Sequence, residues 1–323
     1  MSNIEWALLN GLLWVDKPKA FHYLNTSTMF KNIPIPSTFS SIKKGKVLLL
    51  IKEEYKDFLL REGIEDPEGF LKSHQHGTTY LSGRVPHPCI PIGDGKRVVV
   101  RLYSHGGLFR TFTRNLYLFG SRSFQELALT EEIRSSGIPT IEPIAAIHQL
   151  IFSLLYKAYF LSLEIPGAMD LIQYFQKTAN PPSPENLILK RKTIRSIGLL
   201  LQKFHQAGFF HGDLQLKNIL LAGDQSFLID FDRSYRKPIL SLRERVKNLF
   251  RLNRSVEKWR CLGLPITRTD RWRFLQAYAG GDNKIREAMQ KALRSCSLRS
   301  FFYRCGWTLE DIFRRRKFVV RSN

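Results

Sequence analysis

The sequence is poor in cysteine, in acidic residues and in long apolar runs. Its four cysteines, Cys89, Cys261, Cys296 and Cys305, lie far apart and form no CxxC pair. Neither a zinc site nor a disulfide framework is therefore expected, and the thiols read as reduced ones of a cytoplasmic protein. The apolar stretch with most claim to a membrane span, Ile144 to Ile165, is broken by His148, Gln149, Lys157 and Glu164. Its longest uninterrupted run falls well short of the ~18 residues such a helix needs. Asn3 to Val15 contains Glu5 and Asn10, has no basic region before it and shows no clear cleavage site, so no signal peptide is expected. Membrane contact would then be peripheral. Asp and Glu number 28 against 50 Lys and Arg, a net charge of +22. That imbalance favours an anionic partner: nucleic acid, an anionic membrane face or a phosphorylated glycolipid. No recognisable nucleic-acid-binding motif accompanies the charge, so nucleic acid is the least expected of the three.

The chemistry concentrates between Phe209 and Arg233, FFHGDLQLKNILLAGDQSFLIDFDR. Apolar runs Ile219 to Leu221 and Phe227 to Ile229 flank Ala222, Gly223, Asp224 and Gln225, a strand, turn, strand pattern. Asn218 just before one strand and Asp230 just after the other then lie at the same end of a hairpin. Their oxygens suit Mg²⁺, which binds through a few protein oxygens together with substrate phosphates. Asp213, five residues before Asn218, is near enough to take a proton from an attacking hydroxyl. HGDLQLKN followed by IDFD matches the HxDLxxxN spacing and the DFG element that carry these roles in protein kinases.

The stretch resembles the protein-kinase-like superfamily and, within it, the bacterial lipopolysaccharide kinases that phosphorylate inner-core sugars. The resemblance covers about residues 47 to 280. It implies an α+β, two-lobed protein-kinase-like fold with a small β-rich N-lobe over 47–166, a mainly helical C-lobe over 167–323, and a preceding extension, 1–46, of no assigned role. It also implies ATP and Mg²⁺ as cofactors, with Asp213 catalytic and Asn218 and Asp230 holding the metal. The implied acceptor is a lipopolysaccharide precursor, Kdo-lipid A first, at the inner face of the bacterial inner membrane. A heptose or another small hydroxylated acceptor, aminoglycoside-like compounds included, is the enzymatic alternative. An alternative of another class is a catalytically silent kinase fold binding an anionic membrane.

Other motifs extend the pattern. VLLLIKEEYKDFLLREGI from Val47 reads as a strand followed by an amphipathic helix ending near Gly63. Tyr80 to Tyr103 reads as two strands joined by a loop holding Gly83, Gly93 and Gly95, which would lie over ATP phosphates. It lacks GxGxxG spacing, and Pro86, Pro88 and Pro91 remove N–H donors, so an ordinary hairpin is an equal reading. Val98, Val99, Val100 and Arg101 stand at the VAIK strand of kinases, with Arg for Lys. RLYSHGG, Arg101 to Gly107, reproduces an element of the lipopolysaccharide kinases. A helix from about Ser123 to Gly137 carries Glu126, which by that resemblance would pair with Arg101; Glu131 and Glu132 are alternatives. Strands over Ile141 to Ile147 and Ala158 to Leu163 lead to Leu163–Gly167, which resembles the hinge whose backbone bonds adenine and includes Glu164.

Beyond the hinge, Ile194, Ile197, Leu200, Leu201 and Phe204 recur at helical spacing and stop at Gly208. His205 reads as a helix-end residue and His211 as structural. Gly212 stands where many protein kinases have the Arg that reads a phosphorylated activation loop, so that regulation is not expected. Lys217 would approach the transferred phosphate or point to solvent. No long activation segment follows Asp230. Asp232 and Arg233 lead instead into a basic helix, Leu242 to Arg260, in which NLFRLNRSVEK resembles an element of Kdo kinases. Asp232, Arg233, Arg251, Arg254 and Lys258 are the substrate candidates there, against a plain solvated face. Further helices are expected over Asp270 to Ala279 and Asn283 to Leu293. Arg314, Arg315, Arg316, Lys317 and Arg321, interleaved with Phe301, Phe302, Trp307, Phe313 and Phe318, would make a peripheral anchor or core aromatics on a basic surface.

Overall fold

The structure, a computed structural model, describes residues 33–81, 86–104, 115–118, 120, 122–151, 155–179 and 183–295. Gly83 and the basic C-terminal cluster lie outside them. The first half of the chain builds an antiparallel sheet in the order β1-β2-β7-β8-β5-β4-β3, with β6 pairing β8 at the side. These strands are β1 Phe39–Lys44, β2 Val47–Lys52, β3 Thr79–Leu81, β4 His87–Pro91, β5 Arg97–Leu102, β6 Tyr117–Leu118, β7 Pro143–Leu150 and β8 Leu155–Leu163. The sheet starts at Phe39, within the stretch given no role, because β1 pairs with β2 from Phe39↔Lys52 to Lys44↔Val47. Residues 79–102 form three strands where two were expected. The prolines that argued against a phosphate-binding loop, Pro88 and Pro91, sit inside β4 itself, paired with Tyr80 and Arg97.

Helices α1 Glu53–Arg61 and α2 Pro67–Ser73 cover one face of this sheet. Tyr55, Leu59 and Phe70 pack with Leu49, Ile51, Val98, Val100 and Leu161. Helix α3, Arg122–Ser135, buries Phe124, Leu127 and Ile133. The chain after it docks on the catalytic half: Thr140 Oγ1 donates to the Leu228 carbonyl at 2.6 Å, and the Leu228 N–H to the Pro139 carbonyl at 3.1 Å.

The second half is helical: α4 Leu171–Ala179, α5 Pro184–Gln206, α6 Leu242–Cys261, α7 Arg268–Ala279 and α8 Asn283–Ser295. Local chemistry sets the starts. Ser183 caps α5 by accepting from the Asn186 N–H, with proline at the first position, and Ser241 with Glu244 closes a capping box on α6. Thr267 and Asp270 make a second box, which is why α7 starts at Arg268 and not at Asp270. The core gathers Ile194, Leu201, Phe204, Phe209, Leu214 and Phe231. Short strands carry the catalytic stretch: β9 Met169–Asp170, β10 Phe209–Phe210, β11 Ile219–Ala222, β12 Gln225–Leu228 and β13 Tyr235–Arg236. A sheet-rich half followed by a helical half is the α+β, kinase-like class expected from the sequence. No described helix is long and apolar enough to cross a membrane.

Candidate active site

The β11–β12 hairpin pairs from Ile219↔Leu228 to Ala222↔Gln225. The Ile229 N–H closes it by donating to the Asn218 carbonyl at 3.1 Å, so Asn218 and Asp230 meet at its open end. Asn218 Nδ2 donates to the Asp213 carbonyl at 2.8 Å, which holds the loop around Asp213 to the hairpin. His211 makes the complementary link. Its Nδ1 accepts from the Asp213 N–H at 3.1 Å and its Nε2 meets the Ile229 carbonyl at 3.0 Å. Burial lowers this imidazole, so it is neutral and bridges the Asp213 loop to the residue before Asp230. The Asp213 carboxylate accepts from Gln215 Nε2, a neighbour the motif did not single out.

Asp230 has a left-handed backbone, φ +65°, as has Arg233 at +57°. Such conformations cost non-glycine residues roughly 1–3 kcal/mol and persist where packing enforces them. Gly212 shows the packing: a Cβ there would lie 2.3 Å from the Asp232 carbonyl oxygen and 2.7 Å from the Arg233 carbonyl carbon. The catalytic loop therefore lies directly on the turn after Asp230, and only glycine fits.

Arg101, near the end of β5, projects into the cleft. Its guanidinium bonds Glu126 of α3, reaches Asp230 Oδ1 at 2.7 Å and donates to Tyr103 Oη at 3.0 Å. Burial opposes this charge, but Glu126, Tyr103 and Asp230 together hold the guanidinium ionised, well above its ordinary range. Burial likewise favours the neutral acid at Asp230, yet the Arg101 guanidinium outweighs it and keeps the carboxyl below the usual range. Of the three glutamates on α3, Glu126 is the partner of Arg101. Glu131 pairs with Arg134 at 3.0 Å, and Glu132 with Arg236.

Other sequence candidates divide. Lys217 is exposed on the 3-10 turn Leu216–Asn218, and its charge acts on Asp230. Arg251 acts on His211. Arg254 and Lys258 follow on α6, one and two turns further along. Arg233 is exposed. Two candidates have partners of their own. The Asp232 carboxylate is held by the Arg122 guanidinium in a two-point ion pair, which ties α3 to the turn. The Glu164 N–H donates to the Arg97 carbonyl at 2.9 Å and its carboxylate pairs with Arg97 Nε at 3.2 Å, so only its carbonyl is offered to an adenine. His87 on β4 was missed. It is half-buried, and burial, then Arg101, hold its imidazole low, with Asp230 opposing them. No motif marks it.

Among the described residues no three His, Cys, Asp or Glu side chains gather as a self-sufficient metal cage. Asn218 and Asp230 supply two oxygens at one hairpin end, which fits a Mg²⁺ completed by phosphates. A cavity of about 760 Å³ among α4 to α8 is lined by Phe175, Ile194, Leu252 and Met289 among others, but by none of Arg101, Asp213, Asn218 or Asp230.

Fold and hairpin geometry together define the class, a protein-kinase-like α+β fold. The model of the lipopolysaccharide kinase (Kdo/WaaP) family matches residues 92–278, more than half of the chain. A 3-deoxy-D-manno-octulosonic acid kinase of Vibrio cholerae is 37% identical over 167 residues, 50% of this chain and 66% of its own. This chain thus spans about two thirds of that relative's length. One from Vibrio parahaemolyticus is 34% identical over 208 residues, 61% of this chain and 82% of its own. A solved structure, WaaP in complex with acyl carrier protein, aligns at 18% identity and a TM-score of 0.49, over 77% of this chain and 99% of that one. The chain belongs to the lipopolysaccharide kinase (Kdo/WaaP) family.

Proposed function

We propose that the protein transfers the γ-phosphoryl group of ATP to a hydroxyl of a lipopolysaccharide inner-core sugar, Kdo of Kdo-lipid A first. The observation that carries this is the linkage of Asp213, Asn218 and Asp230 through His211, facing Arg101. Asp213 orients the sugar hydroxyl and takes its proton as the oxygen attacks. Asn218 and Asp230 would hold Mg²⁺, whose charge would neutralise the phosphates. Arg101, oriented by Glu126, positions those phosphates, and catalysis rests mainly on alignment and charge. Support for Kdo comes from the relatives, which are named as kinases of that sugar. Arg251, Arg254 and Lys258 supply cations for an acidic sugar and its phosphorylated neighbours. The net charge of +22 supports peripheral contact with an anionic membrane face.

The test is to incubate the protein with Mg²⁺, ATP and separate acceptors, and to read added phosphate by mass spectrometry. The acceptors are Kdo-lipid A, a heptosylated core, an aminoglycoside and a protein. Phosphate on Kdo is expected, with loss on the order of 10²–10⁴-fold for Asp213→Ala. Phosphate on heptose alone moves the acceptor. Phosphate on none, or undiminished transfer by Asp213→Ala, overturns the reading.

A further inference from the structure

Behind the catalytic loop runs a series of buried polar side chains that the transfer step does not itself use. Asn248 of α6 is fully buried. Its Nδ2 donates to the His211 carbonyl at 2.7 Å, and its Oδ1 accepts from the His211 N–H at 3.2 Å. One side chain thus holds both backbone polar groups of a single residue. The same Oδ1 lies 2.9 Å from His205 Nε2. An amide oxygen can only accept, so that nitrogen carries the proton. Nδ1 of His205 is then the acceptor for Tyr278 Oη, 2.7 Å away on α7. His205 and Tyr278 are as deeply buried as Asn248.

The chain is directional. Tyr278 donates to His205, His205 to Asn248, and Asn248 clamps the backbone of His211. The His211 ring then meets the Asp213 N–H and the Ile229 carbonyl, next to Asp230. Seven residues along α6, Ser255 Oγ accepts from the Leu216 N–H at 3.2 Å, a second grip on the same loop. Buried polar groups are costly unless every one is bonded, and a satisfied network fixes a single geometry where apolar packing would tolerate several.

We infer that Asn248 is a positioning residue for phosphoryl transfer: backed by His205 and Tyr278, it sets the spacing of Asp213 against Asp230. The inference rests on the kinase reading above. Misplacement by about 1 Å is enough to cost ~10²-fold in rate, so the series is placed where small shifts count.

The full-length variants Asn248→Leu, Asn248→Asp and Tyr278→Phe test it, assayed well below each melting temperature. Leucine fills the space without hydrogen bonds. It is expected to lower kcat at least about tenfold with KM for ATP within about threefold, in line with lost alignment. Aspartate still accepts from the His211 N–H and from His205, and is expected to recover part of kcat. Tyr278→Phe removes only the hydroxyl, with a fall in kcat of roughly threefold expected at unchanged KM. Imidazole ¹⁵N spectra should show His205 as the Nε2–H tautomer in the native protein and in Tyr278→Phe, where Asn248 Oδ1 still accepts that proton, and a tautomer mixture in Asn248→Leu, where it is gone. A folded Asn248→Leu with native kcat, equal kcat for Asp and Leu at position 248, or an Nδ1–H tautomer at His205 overturns the inference. If Asn248→Leu does not fold, Tyr278→Phe and the tautomer decide. The spectra do not depend on turnover, so a native protein that transfers no phosphate overturns the kinase reading while the tautomer still judges the relay.

Discussion

At Arg101 a single guanidinium answers two carboxylates, Glu126 and Asp230, and a phenol, Tyr103. The planar fork reaches these partners from two separate nitrogens, a spread that the point charge of Lys, standing there in kinases, lacks. Arg101→Lys is expected to raise KM for ATP in steady-state kinetics with little change in fold. Glu126 is almost fully buried, so Arg101→Ala leaves its carboxylate without a cation, held only by the Tyr103 hydroxyl, and should cost about 3–5 kcal/mol in denaturant unfolding. Removing both charges, as in Arg101→Met with Glu126→Leu, should return most of that stability and none of the transfer activity. Gly212 makes a second demand at this scale. Gly212→Ala pushes a methyl into the Asp232 carbonyl, and activity should fall more than the melting temperature, because the turn carrying Asp230 must shift. In the sequence Gly212 showed only the loss of an Arg and its regulatory role. The close approach of residues 212 and 232 is a contact across twenty positions that no local pattern encodes.

Among the elements, α6 carries more than its charge pattern indicates. Its apolar stripe and basic face were legible as an amphipathic helix, and Ser241 with Glu244 marks its start by a capping box. Ser241→Ala should cost about 1 kcal/mol, measured as a lower midpoint of chemical unfolding. What periodicity does not report is that the face holding Asn248 and Ser255 grips the catalytic loop. Helix α3 shows the same division. Its extent followed from the apolar pattern and the Gly137 stop, whereas the choice of Glu126 over Glu131 and Glu132 came only with the fold, and the ion pairs of Arg122 with Asp232 and of Glu132 with Arg236 join residues more than a hundred positions apart. These pairs fasten α3 to the segment after Asp230, in a chain that has no long activation segment to rearrange.

Across the whole molecule, buried histidines make stability depend on acidity. Burial holds His148 down to about 3 and His205 down to about 4, against an ordinary value of 6.5, and it lowers His211 as well. Above pH 6.5 the folded and unfolded chains are both neutral at these sites and the full stability is present. As pH falls below 6.5 the unfolded chain takes up protons that the folded one refuses. Each histidine should then remove up to about 1.4 kcal/mol per pH unit, down to about pH 4 for His205 and about 3 for His148. Melting temperatures from pH 8 to 4 check this. His148→Phe should flatten the curve without loss of stability at pH 8, because His148 stacks between Phe124 and Tyr156 with neither ring nitrogen bonded. A steeper acid-side slope in that variant would show the cause to lie elsewhere.

The sequence by itself determined the kinase-like class and the hairpin that brings Asn218 and Asp230 to one end. Each of these depends on local spacing or on a motif of fixed geometry. Only the tertiary structure decided that Asp232 belongs to Arg122, that the Glu164 N–H is taken by β5, and that Asn248, His205 and Tyr278 stand behind the catalytic loop. Those contacts join segments distant along the chain through buried polar groups. Hydrogen bonds of that kind are selected when helices pack, and leave no period or spacing in the sequence that forms them.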